Sequence, residues 1–417
     1  MPLLFRYALA FLFLLPFLSI SQNNKPFNYF GSDLLIGYLS DSNTGFPERK
    51  LQKSVFLKIG KLHSGKNEDW AYYLNKPKTG ISFVFSDFGN KNLLGYAYNL
   101  MPYIEFSVAK HFNMYVAFGG SYVTKKYNLE TNAFNKGIST NLNWTYNTIF
   151  YYDFLNNKNA IWRLGLGYMH YSNGHTKKPN KGFNSALFSV STNFGKHISS
   201  YKNIEVNPPE KQLEWFYTGR FGIGVNSFSR VFNSQKPVFS TAFSAGKIIN
   251  KTYKFGVGLY YNFYQHYYDY IVNDGALIRE QEPNFKKHPI LNASSFGVFG
   301  SAELLLNHVG MEINIGLNFH KPFYKIDWQI NENEGFSFLS ANGEEIVKPG
   351  ELNTYFEIKR FASSRMGLKY YLFNTNKMPK NNFFIGAFIN ANLGQADFSE
   401  LTIGYVHRLP IKNDVKK

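Results

Sequence analysis

Apolar and polar residues alternate with a period of two along most of this chain, from about residue 31 to its end. The alternation is plainest in residues 254–263 and 310–320, where the apolar positions are Phe255, Val257, Leu259, Tyr261 and Phe263, then Met311, Ile313, Ile315, Leu317 and Phe319. Glycine and polar residues fill most positions between them. Because successive side chains of a β-strand point to opposite faces, the pattern predicts strands with one face suited to hydrocarbon and the other to water.

About sixteen such segments follow one another along the chain. They are residues 33–41, 54–62, 79–87, 95–109, 111–124, 139–154, 160–172, 184–196, 214–227, 236–249, 253–268, 294–306, 308–320, 356–374, 381–393 and 397–409. An even number returns the C-terminus to the side of the N-terminus, as single-chain bacterial barrels require. The pattern therefore predicts an all-β protein, a transmembrane antiparallel up-and-down β-barrel of about 16 strands, within a range of about 12–16.

The connections between these segments alternate between long and short. If the first strand runs outward, the outer connections are the long ones and include 125–138, 173–183, 269–293 and 321–355, as expected for a bacterial barrel. Two inner connections, 63–78 and 197–213, are long as well, and the second divides the strands into about eight plus eight. One wide barrel fits this pattern, and so does a small eight-stranded barrel followed by another sheet. Because no flexible linker composition is present, we predict the single wide barrel.

The N-terminus indicates export. Arg6 precedes an apolar stretch, Tyr7–Leu18, and small residues follow up to Ser21. This is the pattern of a secretory signal peptide over residues 1–21, which leaves residues 22–417 for the mature barrel. A soluble β-sandwich shows the same period of two. The export signal, the number of strands and the 18% content of aromatic residues together favour a barrel in the outer membrane of a Gram-negative cell.

The remaining composition limits the partners of the protein. The chain has no cysteine, so strand pairing rather than disulfide bonds must stabilise it. The formal net charge of +17 would suit nucleic acid, but an exported membrane protein more readily meets anionic lipid head groups. Lysines scattered over the loops would give the same net charge. The charge alone therefore does not distinguish lipid binding from an ordinary basic surface. We expect outer-membrane lipids as partners, no nucleic acid, and neither a metal nor an organic cofactor.

The most informative segment is residues 162–184, with the sequence WRLGLGYMHYSNGHTKKPNKGFN. Arg163 belongs in a polar lumen, so the alternate positions of this strand face lipid, and His170 and Ser172 continue that lipid-facing row. Asn184 falls on the corresponding face of the next strand. Polar side chains are unfavourable against hydrocarbon. A catalytic role is one reason for polar side chains at these positions. A histidine two residues from a serine can act as the base for a serine nucleophile.

Two interpretations of this group stay open at this point. In the first, His170 and Ser172 lie at head-group level, where amphipathic side chains are tolerated. In the second, they form a nucleophile and its base, with Asn184 as a third member that holds the imidazole ring. Asn173 would then donate its amide to the oxyanion that develops as the serine attacks. A bare His-x-Ser pattern does not decide between the two.

A longer motif narrows the choice. The run His-Tyr-Ser-Asn at 170–173, followed by Lys-Lys-Pro-Asn at 177–180 and by Gly182, resembles the signature of the lipid A 3-O-deacylase (PagL) family. This resemblance covers residues 30–197, which are the first eight predicted strands. Near the C-terminus, the run Leu-Gly-Gln-Ala-Asp-Phe at 393–398 resembles the acyloxyacyl hydrolase branch of the family. The resemblance implies an outer-membrane barrel that hydrolyses the ester-linked acyl chain at the 3-position of lipid A, the lipid of lipopolysaccharide, without a cofactor.

The resemblance also implies a role for each site residue. His170 corresponds to the general base of the family, Ser172 to its nucleophile and Asn173 to its oxyanion donor. The family has a glutamate where this chain has Asn184, and an asparagine can orient a histidine but stabilises an imidazolium less than a carboxylate does. Three lysines in the adjacent loop could bind lipid A phosphates or form an ordinary basic loop, namely Lys177, Lys178 and Lys181.

The sequence thus leads to one main hypothesis and two alternatives. The main hypothesis is a serine ester hydrolase that removes a 3-O-linked acyl chain from lipid A in the outer leaflet. The first alternative is a non-catalytic pore or structural barrel, which Asn184 and the large remaining segment 198–417 support. The second is an outer-membrane phospholipase that uses the same chemistry. The sequence does not fix the acyl-chain length or the oligomeric state.

Overall fold

The structure is a computed structural model, and it describes residues 28–66, 68–196, 198 and 201–410. The predicted signal peptide, residues 1–21, lies outside the described residues. The chain divides into two compact units. One unit comprises the described residues of 10–173 and 179–211, and the other those of 174–178 and 212–417.

The first unit contains a closed antiparallel barrel of eight strands. The strands are β1 (Tyr29–Leu39), β2 (Gln52–Leu62), β3 (Lys78–Asp87), β4 (Tyr96–Ala109), β5 (Phe112–Val123), β6 (Leu142–Asn157), β7 (Ala160–Ser172) and β8 (Phe183–Phe194). Each strand pairs with the next in sequence, and β8 closes the barrel on β1, from Phe194 opposite Phe30 to Ser185 opposite Leu39. A short helix, α1 (Asp69–Tyr73), lies between β2 and β3.

The second unit contains another closed antiparallel barrel of eight strands and a separate hairpin. Its strands are β9 (Leu213–Ser227), β10 (Gln235–Ile249), β11 (Tyr253–Tyr264), β12 (Ser294–Leu306), β13 (Val309–His320), β14 (Phe336–Leu339), β15 (Glu345–Lys348), β16 (Ala362–Tyr371), β17 (Asn381–Asn392) and β18 (Gln395–Pro410). Strands β14 and β15 form the hairpin, and β18 closes the barrel on β9, with Leu409 opposite Trp215.

Five helices lie in the connections of the second unit. They are α2 (Gln265–Val272), α3 (Ala276–Glu280), α4 (Pro289–Asn292), α5 (Tyr324–Asn331) and α6 (Thr354–Phe361). The first three lie between β11 and β12, and the last two lie between β13 and β16. No helix in the described part of the chain is long and apolar enough to cross a membrane.

The antiparallel all-β fold and the sixteen barrel strands are confirmed, but the single wide barrel is wrong. The hydrogen-bonded ladders close β8 on β1 and β18 on β9, so the strands form two barrels of eight. Side-chain alternation is the same in one wide barrel and in two narrow ones, because it reports only which face a residue occupies. The composition of segment 197–213 therefore does not reveal where a ladder closes.

The first barrel is apolar outside and polar inside. Exposed outward side chains include Leu34, Phe83 and Leu166. In the lumen, Lys58 Nζ lies 2.6 Å from Asp33 Oδ1, and Arg163 lies 2.7 Å from Glu105 Oε1, all four side chains being buried. Arg163 thus occupies the lumen, as the sequence predicts. This distribution is the reverse of that in a soluble protein and is the one that a transmembrane barrel needs.

The second barrel has the same inside-out polarity. Exposed outward side chains include Phe243, Val257, Ile315 and Ile403. Arg365 lies 2.7 Å from Glu312 and 3.0 Å from Glu400 in the lumen, and Lys369 lies 2.9 Å from Glu303. A cavity of about 30 Å³ lies next to Arg365, lined also by Arg220 and Asn314, and has room for only a few water molecules. Both lumens are therefore filled, as expected for eight strands.

Candidate active site

Strand β7 carries two of the predicted site residues in one outward row. Arg163 and Met169 point into the lumen and are buried, whereas Leu166 and Tyr168 are exposed on the outside. His170 continues the outward row and is half-buried. The strand therefore places this imidazole on the exterior of the first barrel, near the end of the strand.

Asn184 lies directly opposite His170 in the ladder between β7 and β8. Its Oδ1 atom lies 2.7 Å from His170 Nδ1, and the hydroxyl of Tyr168 donates to the same oxygen at 2.6 Å. Because a carbonyl oxygen only accepts hydrogen bonds, this contact selects the tautomer in which Nδ1 carries the hydrogen. His170 Nε2 is then the proton acceptor, which is the state that a general base requires.

Ser172 belongs to the same outward row by alternation, but it is buried, with 5% of its surface exposed. Asn180 Nδ2 donates to Ser172 Oγ at 2.9 Å, and Asn180 Oδ1 accepts the backbone N–H of Asn173 at 3.0 Å. The side chain of Asn180 thus fixes the serine hydroxyl relative to the following residue. Because Oγ is the acceptor, this hydrogen bond would become stronger if Oγ carried negative charge.

Sequence reasoning does not single out Asn180, although the residue lies within the Lys-Lys-Pro-Asn run. Eight positions separate it from Ser172, and they form an irregular loop in which no periodicity relates one side chain to another. One feature of the sequence could have indicated Asn180. An asparagine that follows a proline in a loop often forms hydrogen bonds with nearby backbone groups, and this one lies close in sequence to the candidate nucleophile.

Asn173 is buried, and its side chain has a partner of its own. Its Nδ2 atom donates to Ser139 Oγ at 3.1 Å. One N–H of the Asn173 side-chain amide therefore points to Ser139. The backbone N–H of Asn173 donates to the side chain of Asn180. The oxyanion role of Asn173 stays a prediction, and Asn180 is a second side-chain amide near Ser172, with its Nδ2 on the serine hydroxyl.

Gly182 lies against the histidine and permits its position. Its φ is +78°, and a Cβ atom added there would lie 2.7 Å from His170 Cε1. A left-handed backbone and a contact this close both require glycine. The glycine of the motif therefore lets the loop return to β8 directly over the imidazole ring.

We expect Gly182→Ala to lower any activity of the site by about a hundredfold, because a displacement of about 1 Å can have this effect. The matched control is Gly343→Ala. Gly343 has a φ of +81° but no atom within 4 Å of an added Cβ. Both substitutions should cost about 1–2 kcal/mol of backbone strain, and only the first should move the ring. Equal activity of the two variants, measured as initial rates on folded protein, would contradict the role of Gly182.

The three lysines of the loop differ from one another. Lys177 and Lys181 are exposed. Lys178 is only 8% exposed, and its Nζ lies 3.7 Å from Asp327 Oδ1 within the second unit. Its ammonium already faces a buried carboxylate, so Lys178 does not suit the phosphate-binding role suggested by the sequence. Adjacent loop residues have no periodicity from which burial can be predicted.

A second Tyr-Asn-His group occurs on the exterior of the second barrel. Asn381 Oδ1 lies 2.8 Å from His407 Nδ1 and accepts from the Tyr405 hydroxyl at 2.7 Å. Asn381 is also the ladder partner of His407, as Asn184 is of His170. The position two residues after His407 holds Leu409 instead of a serine. The second group therefore has the hydrogen-bonded triplet without a hydroxyl in the place of Ser172, and it offers an internal control.

The chemical groups of the first site suit acyl transfer rather than metal binding. They are one imidazole, hydroxyls and amides, whereas protein metal centres use thiolates, carboxylates or several imidazoles. Within the described residues, no group of three or more His, Cys, Asp or Glu side chains could hold a metal ion. The site contains an imidazole, a hydroxyl and amide N–H donors, which are the kinds of group that ester hydrolysis by a serine uses.

The family model described as lipid A 3-O-deacylase (PagL) matches residues 61–193. The matched range is about a third of the chain and contains His170, Ser172, Asn173 and Asn184. The resemblance seen in the sequence motif is thereby confirmed for this part of the chain, which is similar to an outer-membrane lipid A deacylase. A comparison with curated proteins gives no match.

Several solved structures of β-barrel proteins align with this chain. The outer membrane enzyme PagL aligns with 39% of this chain and 97% of its own, at 14% identity and a TM-score of 0.28. A de novo designed transmembrane β-barrel aligns with 40% of this chain and 94% of its own, at 10% identity and a TM-score of 0.22. The outer membrane protein Omp33 of Acinetobacter baumannii aligns with 92% and 98%, at 7% identity and a TM-score of 0.17. These TM-scores are low, and no functional conclusion follows from them.

Proposed function

We propose that the first barrel is a serine ester hydrolase that removes the 3-O-linked acyl chain of lipid A in the outer leaflet of the outer membrane. The observation that carries the proposal is the family match over residues 61–193, since this range contains the whole candidate site. The hydrogen bond of 2.7 Å between His170 and Asn184 supports it, because it prepares the imidazole to act as base. The outward position of the site suits a substrate that arrives by lateral diffusion within the membrane.

In the proposed mechanism, His170 Nε2 takes the hydroxyl proton as Ser172 Oγ attacks the ester carbonyl carbon. Asn184 Oδ1 holds the Nδ1–H and faces the imidazolium that forms. The proton passes from His170 to the sugar oxygen as the ester bond breaks, which leaves the acyl chain on Ser172. A water molecule, deprotonated by the same histidine, then hydrolyses this acyl-enzyme and releases a 3-hydroxy fatty acid. The amides of Asn173 and Asn180 would stabilise the oxyanion.

The direct test uses purified full-length protein with vesicles that contain lipid A and phospholipid. Released fatty acids are identified by mass spectrometry. Release of 3-hydroxyacyl chains supports the proposal, whereas release of ordinary acyl chains would indicate the phospholipase. No release from folded protein would favour the non-catalytic barrel, for which the best support is the asparagine at the position of the family's acid.

The role of Asn184 can be measured with two substitutions. We expect Asn184→Ala to lower the hydrolysis rate by about two- to tenfold, the effect of losing one neutral hydrogen bond. Asn184→Glu should raise the rate by about tenfold, because a carboxylate bonds an imidazolium more strongly than an amide by about 1–1.5 kcal/mol. Equal rates in the three proteins would show that Asn184 is not the third member of the site.

The filled lumens argue against the passive-pore alternative. The ion pairs of both barrels are buried, and eight strands enclose a space that side chains fill. In planar bilayers we expect no stable conductance steps from the full-length protein at moderate salt. An outer-membrane porin recorded under the same conditions is the control. Regular single-channel steps from this protein would contradict the account of its interior and favour the pore.

A further inference from the structure

Two short helices of the second unit expose apolar side chains beside the ends of barrel strands. Helix α4 is separated from β12 by one residue, and α6 leads directly into β16. The exposed apolar residues are Ile290 and Leu291 on α4 and Ile358 and Phe361 on α6. Large apolar side chains grouped at one end of a barrel are not expected to remain in water.

These side chains continue the apolar exterior of the barrel. Leu317 at the end of β13 is exposed and pairs with Ala362, the first residue of β16. Phe319, which is 63% exposed, therefore extends past this last ladder pair, on the side where α6 packs against β13 and β16. On the neighbouring strand, Phe296 stacks on His320 with 4.9 Å between ring centroids. The lipid-facing surface thus extends beyond the strands to the two helices.

Both helices are held in place by the strands next to them. Asn318 Nδ2 donates to the carbonyl oxygen of Arg360 at 2.8 Å, which caps the end of α6. His320 Nε2 lies 2.9 Å from the carbonyl oxygen of Leu291 on α4. On its inner side α6 buries Phe356. The outward apolar side chains therefore belong to a fixed surface rather than to a frayed end.

Basic residues adjoin this apolar surface. Lys286, Lys287 and His288 are exposed and directly precede Pro289, so α4 begins within the sequence Lys-Lys-His-Pro-Ile-Leu. On α6, Arg360 is exposed next to Phe361. Arg360 also pairs with Glu357 at 2.8 Å and Lys286 with Asp274 at 2.6 Å, and both pairs are exposed to solvent. Helices that lie in a membrane interface combine apolar residues with basic ones in this way, because the former enter the acyl boundary and the latter meet anionic head groups.

We propose that Ile290, Leu291, Phe319, Ile358 and Phe361 form an interfacial shelf that lies in the boundary between head groups and acyl chains of an anionic lipid leaflet. The shelf extends the lipid contact of the second barrel beyond its strands. Continuity with the lipid-facing exterior and the adjoining basic residues favour lipid over a second copy of the chain. The proposal does not depend on hydrolysis by the first barrel, so the two can fail separately.

Because the chain has no cysteine, a single introduced cysteine can carry a nitroxide label at a chosen position. The full-length protein is placed in vesicles of phosphatidylcholine with a minority of phosphatidylglycerol. Labels at Ile358→Cys and Ile290→Cys should be several-fold more accessible to oxygen, which partitions into lipid, than to an aqueous nickel chelate. Glu357→Cys, on another face of α6, should show the opposite preference. Phe319→Cys supplies a second position on β13 if a helix variant does not fold.

Equal access of the nickel chelate to the labels at positions 358 and 357 would overturn the proposal. Protection of position 358 from both reagents would overturn it as well, because a protein surface rather than lipid would then cover the shelf.

The basic residues are tested by the lipid composition of the vesicles. Adding phosphatidylglycerol to phosphatidylcholine should raise the oxygen preference of the label at Ile290→Cys. This rise in oxygen preference should disappear in a protein that carries Lys286→Gln and Lys287→Gln together with Ile290→Cys. The control combines Lys377→Gln and Lys380→Gln, two exposed residues in the connection after β16, at the opposite end of the same barrel. A rise that is the same in all three proteins would overturn the assignment to anionic head groups.

Discussion

Ser172→Ala is expected to lower the release of 3-hydroxy fatty acid from lipid A by about 10³–10⁶-fold, the range for removal of a member of a nucleophile–base pair. The substitution removes the only atom that forms the acyl-enzyme, while His170 and Asn184 keep their hydrogen bond of 2.7 Å. The measurement is the initial rate of fatty-acid release from vesicles that contain lipid A.

The substitution should leave the barrel folded, because it removes one oxygen atom at the end of β7. Heat-modified electrophoretic mobility, which reports a folded barrel, is the control for each preparation. An unchanged rate in folded Ser172→Ala protein would show that another group is the nucleophile.

His170→Ala should lower the same rate by about 10³–10⁶-fold, since the serine then has no base. Nucleophile and base act as one unit, so the double variant Ser172→Ala with His170→Ala should be no slower than either single variant. Additive losses in the double variant would contradict a shared step.

His407→Ala is the matched control for this substitution. His407 likewise bonds an asparagine, at 2.8 Å, and lies beside a tyrosine on the exterior of the second barrel, although here the tyrosine hydroxyl also lies 3.2 Å from the ring nitrogen. Leu409 stands where the first site has its serine. The control should therefore retain the full rate. A comparable loss in His407→Ala would indicate that histidines of this kind stabilise the barrels rather than catalyse the reaction.

The strands were predictable because period-two alternation follows directly from strand geometry. Residues 254–263 and 310–320 lie within β11 and β13, with apolar residues outward as expected. The closure of the strands into two barrels was not predictable in the same way. Closure depends on hydrogen bonds between strands distant in sequence, such as β18 with β9, and these leave no periodic signal in the chain.

In the candidate site, the residues on strands were predictable from the sequence and the residues in the loop were not. His170 and Asn184 lie on regular strands, so alternation predicts their shared outward face. Asn180 and Gly182 lie in the loop between these strands, where backbone geometry rather than periodicity sets each contact. The contact of Gly182 with the imidazole depends on a φ of +78°, which a sequence motif can hint at but does not specify. Lys178 lies in the same loop, and its burial beside Asp327 likewise has no periodic signal in the sequence.

The central claim, that the first barrel deacylates lipid A, is tested most directly in cells. Lipid A is extracted from Gram-negative cells that produce the protein, its Ser172→Ala variant or neither, and analysed by mass spectrometry. The account predicts lipid A that lacks one 3-hydroxyacyl chain, lost from the 3-position, in cells with the unmodified protein only. Unchanged lipid A in cells whose outer membrane contains the folded protein would contradict it.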